Sequence, residues 1–535
     1  MDNHQGMKVS SLQKMSKVQN HIILGLLWVL AAIPFRDGLI SGEIVGAGPD
    51  VISTLWGMWW LQQEGISALF GKETTLVNFP YGAMGIVLAP SSAIFWGLLE
   101  PMMGIGRSMA IVCWIQVGGF AWATAWLAKV LGVEEPWHWI AGFAVMTARF
   151  MIFGIGEASL VAVIAIGIPI GIGALVRVVE TKELRWYGLT CISAIWMAME
   201  NPYLAPVLPG LILLFALRCK ESRWKLLGTL VITSAGILSI AAAYGASANP
   251  HYPREVAGQT AFLFGIEWKI VDLPWARLKL GEIFFPSEVS WTTSTQNAIA
   301  AKGGRYLGGT ALLCALWGVR GAKMIWIFAL GIICIAISMG SVQGGLALPF
   351  LFLNALMDAI SRPLTQPTRF LVVTITCFSV CAAYGVWMLS KTNPWFAKLM
   401  VVMLIFDALY WGGLSLKPPN TTMPHLSCEI DLDGGMLIWP EDGRDGELGT
   451  SRLLQMQHEK PSVQIGIASW RLLEKRALAD IRGAGFSMVT DPIWNEQKLM
   501  TLGFTAVLVE KNGVQVPVYE ARLKDCGDFY WMPFE

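Results

Sequence analysis

The chain is poor in charge, poor in histidine and empty of the short motifs that mark soluble catalysts. Charged residues make up 14% of its 535 positions and the formal net charge is +1, which argues against a nucleic-acid binder of the usual basic kind. The six histidines are scattered. With no HExxH and no CxxC, a histidine-based zinc site has no support. Walker A and GxSxG signatures are missing too, so P-loop and nucleophile-elbow chemistries have no foothold. There are no heptads, no solenoid period and no low-complexity tract. No clear internal repeat is present either, which ranks a transporter built from inverted repeats last among the membrane readings.

Apolar sequence is what the chain has in excess. It is 54% hydrophobic with 25 tryptophans, and its mean hydropathy is +0.53. Apolar stretches of roughly 17–24 residues predict a polytopic helical membrane protein. The short alternating segments of a membrane barrel are not seen. Many tryptophans fall near predicted span ends, where an amphipathic ring favours the interface. The first apolar segment lacks an A-x-A-like exit and reads as a retained span.

Lys8, Lys14 and Lys17 precede the first span at 21–35, so the positive-inside rule puts the N-terminus in the cytoplasm. Further spans are predicted near 107–130, 137–153, 158–176, 187–200, 202–218, 225–245, 306–319, 322–339, 369–390 and 396–413. That makes about eleven, and the basic clusters then fall on the cytoplasmic side. Residues 86–104 are apolar enough to enter the bilayer, but a full crossing there would invert every later cluster. They are therefore predicted as a re-entrant or interfacial helix. The fold class expected is an all-α membrane domain at 1–414, with a long extracytoplasmic first loop at 36–85, followed by a small extracytoplasmic α/β domain at 415–535. Seven of nine cysteines lie in or beside apolar spans. Cys428 and Cys526 lie in the polar C-terminal region and could pair if it faces an oxidising compartment.

The first loop is the most informative segment. It carries Asp37, Glu43, Asp50 and the tryptophans 56, 59 and 60, more than a connection needs. Asp50 follows a Gly-rich run and precedes a helical stretch, so it either caps that helix or serves as a general base or metal ligand at the membrane surface. Asp37 sits beside Arg36 at the end of the first span, either as an interfacial ion pair or as a second candidate base. Glu43 has no local context. Glu157 and Glu200 lie at predicted outer span ends, where they either reach water or mark a site.

Basic residues on the outer face run against the positive-inside bias and are informative for that reason. They are His251, Arg254, Lys302, Arg305, Arg362 and Arg369. Arg362 and Arg369 stand in SRPLTQPTRF, where two prolines stiffen the approach to a span. A planar guanidinium suits phosphate, so a lipid phosphate competes with ordinary headgroup anchoring as their partner. Asn420-Thr421-Thr422 is a sequon, meaningful only if the source glycosylates secreted chains.

Several segments, taken in order, resemble the GT-C superfamily of integral-membrane glycosyltransferases, especially its bacterial branch with a small C-terminal extracytoplasmic domain. They are Asp50 with its Trp-rich helix and NFPYG at 78–82, then GIGEASLVAVIAIGIPIGIGALVR and GGRYLGGTALLCALWGV. Next come the segment ending Pro367-Thr368-Arg369-Phe370, SRLLQMQHEKPSVQIG and LMTLGFTAVLVEKNG. The resemblance spans most of the chain through short, loose motifs. It implies a bacterial inner-membrane enzyme using a sugar on a polyprenyl phosphate. Asp50 would be the base and Asp37 its competitor. Arg362 and Arg369 would face the lipid phosphate, with Glu157, Arg305 and His251 beside the substrate. Related sequences often carry a histidine in the polar turn where this chain has GIGEAS, so Glu157 either replaces it or the site is degenerate. No cofactor is required by this reading, although a divalent metal is compatible with it. The alternative is a non-catalytic relative serving as a scaffold in a larger membrane assembly, with the Trp-rich loop and C-terminal domain as docking surfaces.

Overall fold

The structure is a computed structural model. It describes residues 3–46, 49–70, 72–74, 76, 83–85, 87, 89–157, 165–247, 259–263, 266–270, 278–285, 305–340, 348–359, 367–428, 430, 434–439, 454–457, 459, 480, 483, 495–511 and 522–534. The chain begins with α1 (Asn3–Ala32), which turns through Ile33–Phe35 into α2 (Arg36–Ser41). The first loop holds β1 (Ile44–Val45), α3 (Pro49–Glu64), β2 (Lys72–Thr74) and β3 (Ala83–Gly85). There follow α4 (Pro90–Met103), α5 (Ile105–Val130), α6 (Trp139–Met146), α7 (Arg149–Glu157), α8 (Gly167–Thr181), α9 (Leu184–Glu200), α10 (Val207–Arg218) and α11 (Arg223–Ser247). A hairpin of β4 (Gln259–Leu263) and β5 (Ile266–Ile270) and a short α12 (Leu280–Phe284) come next. The membrane domain closes with α13 (Gly309–Gly318), α14 (Ala322–Ser338), α15 (Leu348–Ala359), α16 (Leu371–Thr392) and α17 (Pro394–Tyr410).

The chain is an integral membrane protein. Among the described residues, five helical segments are long and apolar enough to cross a bilayer: Val18–Ser41, Ile105–Val130, Lys220–Ile240, Pro367–Thr392 and Pro394–Ser415. A sixth candidate is the α6–α7 pair, bent by 41°. Pro202–Arg218, Gly309–Gly318 and Lys323–Ser338 are apolar but shorter. These helices do not by themselves establish a count of about eleven. The 86–104 segment forms α4, whose 14 residues reach about 21 Å at 1.5 Å per residue, short of a ~30 Å hydrocarbon core. Its outer face leaves Ile94, Leu98 and Met102 exposed.

Hydropathy does not say which apolar helix is central, because lipid and protein interior are both apolar. Packing does. Within α16's apolar window 89% of residues are buried, against 17% for the window in α11. α16 is apolar on every face, as a core helix must be, and carries no Asp, Glu, Lys, Arg or His before Lys391. Helices α13, α14, α6, α5 and α17 surround it.

After α17 the chain runs into β6 (Asn420–Thr421) and a small sheet of β7 (Gly435–Trp439), β8 (Phe504–Glu510), β9 (Lys524–Cys526) and β10 (Phe529–Pro533), with α18 (Glu496–Thr501) preceding β8. The sheet order is β7-β8-β10-β9, with β7 and β8 parallel and the other pairs antiparallel. Ile430, Met436, Ile438, Leu454, Leu508 and Phe529 form its own small core. The FTAVLVE run is strand β8; VQVPVYEA lies outside the described residues. Cys428 and Cys526 are disulfide-bonded, with their Cα atoms 5.0 Å apart.

Candidate functional site

The first loop is not a free connection. β1 pairs antiparallel with β6, Ile44 opposite Thr421 and Val45 opposite Asn420. The Gly46 N–H donates to the Pro419 carbonyl (2.7 Å), and the Thr421 hydroxyl donates to the Gly46 carbonyl (2.8 Å). Asn420 Nδ2 donates to Glu43 Oε2 (2.7 Å), which gives Glu43 a structural partner and engages the sequon amide. Asp37 is held by Lys417 at 2.7 Å and Arg36 at 3.6 Å. The start of the first loop and the chain's exit from α17 therefore sit at one face of the molecule.

Gly46 is the hinge of this junction. Its φ is +98°, and a Cβ there would meet Val51 at 2.9 Å and the Gly156 carbonyl at 3.1 Å, so only glycine fits without strain. That close approach sets Gly46 against the end of α7, which terminates at Glu157. Asp50 lies in the first turn of α3 and Glu157 at the last position of α7. The side chains of both lie outside the described residues.

Helix α3 is fixed by burial. Trp56, Trp59 and Trp60 are 1%, 5% and 0% exposed, and Trp56 stacks on Trp60 with centroids 5.9 Å apart. The expectation of a Trp-rich docking surface is corrected here. These rings sit in the main core, because α3 packs on α4 and α7. Trp56 Nε1 donates to Gln455 Oε1 (2.8 Å).

A second cluster gathers around α4. Pro90 occupies its first turn, where the missing N–H costs nothing, and the Ser91 N–H donates to Glu200 Oε1 at 2.6 Å. Glu200 is fully buried. Its other oxygen has no hydrogen-bond partner among the described residues. A carboxylate from α9 thus caps α4, where a helix N-terminus favours negative charge. Three residues on, Tyr203 lies under the Arg369 guanidinium, 4.4 Å from ring centroid to Cζ. Glu200 and Arg369, which sequence placed far apart, are on neighbouring elements.

Arg305 is engaged elsewhere. Its Nη1 pairs with Glu282 Oε2 at 2.9 Å, with only 15% and 21% of the side chains exposed. It clamps α12 to the start of α13. Arg362 and His251 lie outside the described residues. Among the described residues no group of three His, Cys, Asp or Glu could hold a metal ion.

Sequence reasoning missed one constellation. Asp407, 5% exposed near the end of α17, accepts from the Tyr306 hydroxyl (2.7 Å) and the Thr310 N–H (3.0 Å). Tyr306 Oη also accepts from the Gly309 N–H (2.6 Å). Arg149, 8% exposed, lies close enough to Tyr306 to act on it electrostatically. The signal was available: Arg149 and Asp407 are ionisable groups inside apolar runs, which by default mark a site or a buried network.

No protein-family model matches the chain, and no curated protein matches it. Among solved structures, the chain is similar to the Archaeoglobus fulgidus oligosaccharyltransferase in its apo form, at 10% identity and a TM-score of 0.46, covering 91% of this chain and 69% of that one. It is also similar to a mutant of the arabinofuranosyltransferase AftD from Mycobacteria, at 13% identity and a TM-score of 0.48, covering 91% of this chain and 36% of that one. The chain thus spans about a third of the mycobacterial protein. Both scores lie below 0.5, so neither likeness carries weight for function.

Proposed function

We propose that the chain is an inverting membrane glycosyltransferase of the GT-C type, moving a sugar from a polyprenyl-phosphate donor to an extracytoplasmic acceptor. The observation that carries this reading is the first loop's construction. It is a folded element pinned to the chain's C-terminal segment, with Gly46 seated against the end of α7 and with α3, whose first turn holds Asp50, packed on the same helix. A connecting loop has no need of such anchoring, whereas a general base must be held within hydrogen-bond reach of the proton it takes.

In this mechanism Asp50 removes the acceptor hydroxyl proton as that oxygen attacks the anomeric carbon. The bond from that carbon to the donor phosphate breaks, and the phosphate leaves as an anion. Arg369, with Arg362, stabilises the developing charge on it, the kind of fixed electrostatic support that supplies much of enzymatic rate enhancement. Glu157 lies beside the same turn as an acceptor contact. His251 is assigned to the donor side. The ion pair of Arg305 with Glu282 gives that arginine the task of holding the outer segment in place.

The disulfide supports an oxidising compartment for the C-terminal domain, and the placement of lysine and arginine supports a cytoplasmic N-terminus. Together these favour a bacterial inner-membrane protein with its site on the outer face. Burial of the three tryptophans removes one of the two docking surfaces that the scaffold alternative needs.

The test is transfer by purified, reconstituted protein supplied with polyprenyl-phosphate sugars. Asp50→Asn should lower kcat by about 10²–10⁴-fold, the span of general-base contributions. Asp37→Asn should change it by no more than a few-fold, because Asp37 is committed to Lys417. Unchanged turnover in Asp50→Asn removes Asp50 from the mechanism.

A further inference from the structure

A single helical turn at 454–457 bridges parts of the protein that are otherwise distant in sequence. Leu454 is buried in the core of the small C-terminal domain, whereas Met456 is buried in the main core that also holds α3. Gln455 between them is fully buried. Its Oε1 accepts from Trp56 Nε1 at 2.8 Å across 399 positions of sequence. Its Nε2 donates to the Leu76 carbonyl, just beyond β2. The same turn is tied back to the chain's exit from the membrane, Gln457 Nε2 donating to the Pro424 carbonyl (2.6 Å). Pro424 adjoins His425, whose N–H and carbonyl bond Asp528 next to β10. One amide thus joins the middle of α3 and the β2 end of the first loop to the C-terminal sheet.

We propose that Gln455 is a positioning residue through which the C-terminal domain sets the pose of α3. A buried primary amide can hold a donor and an acceptor at once, and no apolar residue could do so. Trp56 and Leu76 both belong to the loop that carries Asp50, so the domain acts as a fixed part of the site. The consequence for turnover rests on the glycosyltransferase reading; the anchoring itself does not.

The experiment uses the full chain in nanodiscs. Gln455→Met keeps the volume and removes both hydrogen bonds. Hydrogen exchange at amides of α3 and of 74–76 should accelerate by about ten-fold or more, because local opening there loses its tie, while α16 stays unchanged. Trp56→Phe keeps an aromatic ring but lacks the indole donor. It should reproduce the α3 effect, and the double variant should add little to either single, as expected of residues acting through one contact. It also carries the test should Gln455→Met not fold. In the transfer assay kcat should fall by about ten-fold or more with KM moving less than about two-fold, the pattern of a misplaced catalytic group. Exchange in α3 within about two-fold of the unaltered protein overturns the proposal. So does acceleration spread evenly over α13–α16, which reports general destabilisation, and so does an unchanged kcat. A parent protein that transfers no sugar removes the glycosyltransferase reading, and the exchange data then decide the anchoring on their own.

Discussion

At the scale of single residues, two buried carboxylates of this membrane domain cap helices. Asp407 accepts from Tyr306 and Thr310 at the start of α13, and Glu200 accepts from Ser91 at the start of α4. Asp407→Ala should strand the buried Tyr306 hydroxyl and the half-buried Thr310 N–H. At about 1–3 kcal/mol for each unsatisfied group, the loss outweighs any gain from removing a charge. Thermal unfolding in detergent should show it, with Asp407→Asn less affected because one acceptor survives. Asp37, Glu200 and Arg369 were legible as candidates because each breaks an apolar run near its end. Asp407 interrupts an apolar run in the same way, but its partners Tyr306 and Thr310, far away in sequence, were not legible. Outside the membrane, Lys511 bonds Asp525 at 2.8 Å and holds its carboxyl below the usual 3.8. A lowered carboxyl favours the folded sheet above that value and loses the contribution as pH falls through its folded value. Asp525 is largely exposed, so the effect is small. Asp525→Asn should flatten the acid limb of the sheet's stability below about pH 4, read by exchange at β9 and β10 amides.

At the scale of elements, length and hydropathy made the long apolar helices legible, and the alternation in FTAVLVE made β8 legible. The α6–α7 break was less so, because it depends on a partner: α6 and α7 pack on α16. Charge placement marked 86–104 as a helix that stops short of a crossing, but not that α4 begins on a carboxylate from α9. The α13–α16 contact shows what such partnering demands. Cys314 and Gly318 on one helix face Cys381 and Gly385 on the other, each pair four residues apart, the small-residue pattern that lets membrane helices approach closely. A Cβ on Gly385 would meet the Cys314 carbonyl at 2.1 Å, and one on Gly318 would meet the Cys381 carbonyl at 2.0 Å. Alanine at an open helical position gains about 1 kcal/mol over glycine, but backbone atoms cannot yield as a flexible side chain would. Gly385→Ala should therefore destabilise by about 1–3 kcal/mol. Gly228→Ala on α11, where nothing lies within 4 Å, should be neutral or stabilising. A pair of melting curves of opposite sign is the expected result; matching shifts would mean that the two helices can separate without cost.

At the scale of the whole molecule, the joining of first loop to C-terminal segment could not be read from sequence. Trp56 and Gln455 are 399 positions apart, and neither β1 nor β6 exceeds two residues, too short for a periodicity signal. Sequence did supply the ingredients: acids in the loop, cysteines in the tail and a charge pattern that put the first loop and the tail on the same side of the membrane. The disulfide binds these parts into a unit. Cys428 stands a few residues after β6, and Cys526 ends β9, with 98 positions between them. Closing so long a loop restricts the unfolded tail and is worth up to about 4–5 kcal/mol, which reduction removes. Reduction, or Cys526→Ser, should therefore loosen the sheet before it loosens α16, whose burial does not involve the tail. Because β6 and Gln455 lie on that tail, exchange in β1 and α3 should rise in step with exchange in β8. Were β8 to loosen while α3 stayed protected, the first loop would be held by the membrane helices alone, and the tail would be a passenger on the site it touches.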